Sequence, residues 1–102
     1  MTNARCSNGD LFRVLKKDPS RKQRLWALIQ LLKRIGKPYV LWRLYHQAYI
    51  EDAGPGLKSR ILWKIIDRNE SRRDLELVLA AAEVEGLGRL QRRTTKLLAP
   101  RA

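Results

Sequence analysis

Apolar residues along this chain recur three and four positions apart, the period of amphipathic helices, and nothing before residue 89 alternates as a strand would. A first helix is expected from Ser7 or Asn8 to Lys17, with Leu11, Phe12, Val14 and Leu15 as its apolar contribution. Asp18–Pro19 ends it, because a residue before proline avoids helical backbone. Ser20 opens a second helix, and Gln23 three residues later completes a capping-box pattern. Leu25, Leu28, Leu32 and Ile35 make one stripe, flanked by Ile29 and Leu31. Gly36 is expected to stop this helix and Pro38 to start a third, running to about Asp52. The third has a core stripe of Leu41, Leu44 and Ala48, with Val40 and Tyr45 at its edges. Its other side carries Tyr39, Trp42, Arg43, His46, Tyr49 and Ile50. A helix apolar or aromatic nearly all round is either central in a fold or shared with a partner.

Ala53–Gly54–Pro55–Gly56 is the clearest break. A fourth helix, Leu57 to about Arg68, carries Leu57, Ile61, Leu62, Ile65 and Ile66. Asn69 or Ser71 starts a fifth, with Asp74 near its positive end, where a carboxylate is favourable. That helix has two apolar strips, Leu75–Val78–Leu79–Ala82 and Leu77–Ala80–Ala81–Val84, and so calls for burial on two sides, inside the bundle or at a dimer contact. Gly86 and Gly88 end it. The basic stretch Arg89–Leu98 reads as a short final helix or a strand pair, and Pro100 closes the ordered part. The expected fold is all-α, a compact bundle of five to six short helices. Residues 1–7 are expected to be disordered, 8–98 to form a single domain, and 99–102 a tail.

Charge changes this picture most. The 102 residues hold 22 lysines and arginines against 10 carboxylates, a net charge of +12. Residues 1–50 carry 11 basic and 2 acidic side chains, whereas 51–102 carry 11 and 8, so the first half holds most of the field. Such a balance points to nucleic acid, an acidic protein or an anionic membrane surface. Membrane binding comes last, because the apolar stripe of the cationic second helix is needed for the core. No segment approaches the ~18 apolar residues of a membrane span. With no leader pattern either, the expected setting is cytoplasmic, nuclear or virion-associated rather than secreted.

Catalytic readings find little to stand on. Cys6 is the single cysteine and His46 the single histidine, so no metal-ligand spacing exists, and Gly54–Pro55–Gly56 lacks a phosphate-loop pattern. Neither enzyme activity nor a cofactor or metal is expected.

Binding readings have more. With successive residues about 100° apart, Lys22, Trp26, Gln30 and Lys33 line up opposite the leucine stripe of the second helix. An indole between two lysines either stacks on an unpaired base or packs under the first helix. Arg21, Arg24, Arg34 and Lys37 would add phosphate contacts, and Arg89, Arg92, Arg93 and Lys96 form a second basic cluster. Trp63, off the stripe of the fourth helix, poses the same choice as Trp26.

Residues 57–93 loosely resemble a helix-turn-helix followed by the start of a wing, the stretch VEGLGRLQRR looking like one that closes many winged-helix recognition helices. The resemblance implies DNA binding, with a rudimentary C-terminal wing as the alternative fold. It covers about a third of the chain, its turn Asp67–Ser71 is long for the motif, and its recognition helix would carry Asp74, Glu76, Glu83 and Glu85 toward phosphate. The leading expectation is therefore a small basic protein, regulatory or accessory, that contacts the phosphate backbone of DNA or RNA. The alternative is a helical module or inhibitor that binds an acidic protein surface through Tyr39, Trp42, Arg43 and Tyr49, residue types enriched at interface hot spots. The surplus of apolar faces on the third and fifth helices adds a homodimer to the expectations.

Overall fold

Six helices follow one another along the chain in the computed structural model, which describes residues 7–68 and 71–99. They are α1 (Asn8–Lys17), α2 (Arg21–Arg34), α3 (Pro38–Ile50), α4 (Pro55–Arg68), α5 (Arg72–Glu85) and α6 (Gly88–Leu98). The all-α bundle expected from the periodicity is thus the fold. The expectations for residues 1–6, Asn69 and Pro100 lie outside the described residues.

The local signals act largely as anticipated. Ser7 caps α1 in a full capping box: its hydroxyl accepts from the Asp10 N–H at 3.1 Å, and the Asp10 carboxylate accepts from the Ser7 N–H at 3.3 Å. Those bonds, with Arg13 nearby, hold the Asp10 carboxyl below its ordinary range. At α2 only half of the box forms, the Ser20 hydroxyl accepting from the Gln23 N–H. Pro38 stands at the first turn of α3, and Lys37 before it is extended, as proline demands. Gly36 does not stop α2 through a left-handed turn. The helix ends because Ile35 is already extended, with φ of −102° and ψ of 134°. The left-handed residues among those described are Asp52 and Gly86, which close α3 and α5. One expectation fails outright. Residues 88–98 are helical and the described residues contain no strand, so there is no wing, and the helix-turn-helix-with-wing alternative falls.

Packing orders the helices into three hairpins, α1–α2, α3–α4 and α5–α6, each pair in extensive contact. The first hairpin meets the second through α2 and α3, and the second meets the third where α4 lies against α5 and α6. This arrangement in a row draws the molecule out to 54 × 23 × 17 Å, with a radius of gyration of 14.6 Å. A spherical domain of this length would have about 13 Å. One core nonetheless runs through it, from Leu11 and Leu15 past Leu28, Leu31, Leu41 and Leu44 to Ile61, Ile65, Val78 and Leu90. Burying such side chains contributes about 1.5–3 kcal/mol each, which is why the stripes dictate the packing.

Polar ties join the hairpins at their ends. The Lys64 ammonium donates to the Leu32 carbonyl, one of the last four of α2 and otherwise without a helical partner. The Trp42 indole N–H donates to Asp74 Oδ1 at 3.0 Å, linking α3 to α5. Lys58, buried, places its Nζ 3.3 and 3.2 Å from the two oxygens of Glu85 and 5.1 Å from the Tyr49 ring centroid, tying α4 to the end of α5. Burial, with the Glu85 charge second, pushes the neighbouring Tyr45 phenol up.

Candidate functional site

At the start of α2, two arginines expected to touch phosphate are engaged with the protein itself. Arg24 sets its Nε 2.5 Å and its Nη2 3.1 Å from the Glu51 carboxylate, while its Nη1 donates to the Asp18 carbonyl at 2.7 Å. Hydrogen bonding from Arg24 holds the Glu51 carboxyl below its ordinary value and raises the Arg24 guanidinium. Arg21 donates to the carbonyls of Glu51 and Asp52 at the C-terminal end of α3, where a cation is favoured. Trp26 is half-buried and packs against the core rather than standing clear between Lys22 and Lys33, which are exposed. The basic line read along α2 is therefore broken: its first turn fastens α2 to α3, and its indole is packing. Trp63 is likewise half-buried against the core.

The aromatic side of α3 divides in the same way. Trp42 is half-buried, edge-on to Tyr45 with ring centroids 5.8 Å apart, and bonded to Asp74. It is an inter-helix tie and not a free contact residue. Tyr49 is exposed but carries Lys58 over its ring. Tyr39, at 65% exposure, and Arg43 remain at the surface.

What the fold brings together is a different set. Where α1 faces α3, two cavities of about 430 and 450 Å³ adjoin, sharing Phe12 and Arg43 in their walls. One opens at the corner between α2 and α3, walled by Arg34, Lys37 and Tyr39. Its neighbour, further along α3, is walled by Lys16, Trp42, His46 and Ile50. The Arg43 guanidinium lies over the Phe12 ring, 5.8 Å from its centroid, at the boundary between the two. Among the described residues no carboxylate lines either cavity. The result is a groove with an apolar and aromatic floor and a cationic rim.

Members of both expected sets, Arg34 and Lys37 from one and Tyr39 and Arg43 from the other, thus meet in one place. Phe12 and Lys16 join them, and sequence reasoning had placed Phe12 in the core and passed over Lys16. Their signal was available: Phe12 and Lys16 stand four apart on α1, one above the other on a helix face. What the chain could not display is that this face looks across at α3.

Elsewhere, Arg89, Arg92, Arg93 and Lys96 are exposed on α6, on the third hairpin, and none of them lines the groove. The two strips of α5 separate: Leu75, Val78 and Ala82 are buried, whereas Leu77 and Val84 are exposed, Val84 at 78%. Burial on both sides is not realised within the chain. Among the described residues no group of three His, Cys, Asp or Glu side chains is placed to hold a metal ion, and no helix is long and apolar enough to cross a membrane.

No family of known proteins matches the chain, and neither a curated protein nor a solved structure is significantly similar to it.

Proposed function

We propose that this protein binds nucleic acid through the phosphate backbone, with the α1–α3 groove and its cationic rim as the contact surface. The observation that carries this reading is the gathering of Lys16, Arg34, Lys37 and Arg43 around walls in which the described residues include no carboxylate. In a chain of net charge +12 such a surface attracts a polyanion over long range and releases its counterions on contact. Lys22 and Lys33, both exposed, extend the same field along α2.

The test is a binding titration against salt. Four phosphate contacts give a slope of log Kobs on log salt of roughly −3 to −4. The variant carrying Lys16→Ala and Lys37→Ala removes two of the four and is expected to halve that slope while leaving the helical circular dichroism unchanged, since both side chains are exposed. Absence of binding at ~50 mM salt, where such contacts are strong, ends the reading.

Docking on an acidic protein surface is the second reading. It draws on the exposed Tyr39, Tyr49 and Ile50 of α3. It ranks lower because two of the aromatics it needs, Trp42 and Tyr49, are already engaged by Asp74 and Lys58.

A further inference from the structure

The shape of the groove says more about its occupant than its charge does. Proteins that read duplex DNA commonly push a protruding helix into a major groove about 12 Å wide. Here the cations surround a concavity, and the floor between them is aromatic and apolar. A duplex presents a wet, charged backbone and keeps its base faces stacked inside, so it cannot cover that floor. An unpaired strand offers both parts, phosphates for the rim and flat base faces for the floor.

The internal layout also discriminates against an acidic amphipathic helix. Such a helix needs a continuous apolar trough for its i, i+3, i+4 and i+7 side chains. Arg43, seated over Phe12, interrupts the trough and divides it into two cavities. Tyr39 and Arg43 stand one turn apart on α3, about 6 Å along its axis, so that an aromatic face is followed directly by a cation. Each cavity falls within the ~300–1,000 Å³ that encloses a small organic group.

We infer that the nucleic acid held by this protein is single-stranded, its phosphates on Lys16, Arg34, Lys37 and Arg43 and an unpaired base on Tyr39. The inference rests on the nucleic-acid reading above and adds to it the class of ligand and a stacking residue. Tyr39 suits the role because it is two-thirds exposed, sits on a helix beside its starting proline, and has no ring partner among the described residues.

Fluorescence anisotropy on the full chain tests this with labelled oligothymidylate, oligouridylate and a GC duplex, each of about a dozen nucleotides per strand, so that charge alone favours the duplex. Binding of at least one single strand about tenfold tighter than the duplex is expected. Tyr39→Ala is expected to weaken the single strand by about five- to a hundredfold, Tyr39→Phe to restore it, and neither to change duplex affinity appreciably. The two single strands separate a DNA ligand from an RNA one. Equal or tighter duplex binding, with Tyr39→Ala neutral, overturns the single-strand inference and leaves nucleic-acid binding standing. If no probe binds at ~50 mM salt, both fail. A Glu- and Leu-rich helical peptide serves as the fourth probe; should it bind in a Tyr39-dependent manner where the oligonucleotides do not, the groove is a protein-docking surface and the inference is wrong.

Discussion

Gly86 closes α5 with φ of 70° and ψ of 31°, handing the chain to α6 after one further residue. A Cβ there would meet nothing within 4 Å, so the requirement for glycine is purely conformational. Gly86→Ala is expected to cost about 1–2 kcal/mol, the penalty an L-residue meets in the left-handed region. Gly54 has equally open surroundings but no positive φ. Gly54→Ala should be neutral or stabilising by about 0.4–1 kcal/mol through the unfolded chain. Urea denaturation of the two variants side by side checks this, with the midpoint falling for Gly86→Ala, unchanged or rising for Gly54→Ala, and the slope the same in both. The tryptophans make a different point at the same scale. Trp26, Trp42 and Trp63 all lie off the leucine stripes of their helices, yet all three pack against the core, because helices of the middle of a row have neighbours on more than one side.

Between elements, Arg24 with Glu51 is the ion pair that, beside the Arg21 and Lys64 bonds to backbone carbonyls, fastens the first hairpin to the second. The guanidinium holds the Glu51 carboxyl below the ordinary glutamate value of 4.5. As pH falls past that value the unfolded chain takes up the proton first, so the contribution of Glu51 is complete above it and is lost as pH drops through the lower, folded value. Glu51→Gln is therefore expected to lower the melting temperature at neutral pH, and its deficit against the parent should shrink between about pH 5 and pH 3. Asp10, whose carboxyl is also held low by its cap with Ser7, is present in both proteins and cancels in that difference. A deficit that stays constant over this range would mean that the pair acts by shape and not by charge. The same bond explains why the basic face of α2 is shorter than its sequence suggests.

Over the whole molecule, the groove is lined by the first two hairpins and the α6 cations stand on the third. Among the described residues none of α6 is in the groove walls, so the two basic clusters belong to different helices. A strand of about six nucleotides, within the range of short single-strand sites, is expected to engage the groove alone. Replacing Arg92 and Arg93 by Ala should leave its affinity within about twofold, since only long-range field is lost, and should weaken a strand several times longer more strongly. Comparing the two lengths by anisotropy for parent and variant decides it. An equal loss for both would place α6 within reach of the groove's ligand.

By itself the sequence determined the kind and approximate bounds of the first five helices, and left the sixth open between a helix and a strand pair. Those depend on interactions within a few residues: the Ser7 cap on Asp10, proline at the start of α3, glycine in the left-handed turn after α5, and apolar stripes at helical spacing. It also determined that the first half of the chain carries the excess of positive charge. Only the tertiary structure decided which of those charges are available. Arg24 reaches Glu51 across 27 positions, Trp42 reaches Asp74 across 32, and Phe12 meets Arg43 across a seam that joins no neighbouring stretch of chain. A helical wheel describes one helix, while a groove belongs to two. For that reason Arg24 and Trp42 could be read as surface residues, and the site emerged where Tyr39, Lys37 and Arg43 were already suspected but for separate reasons.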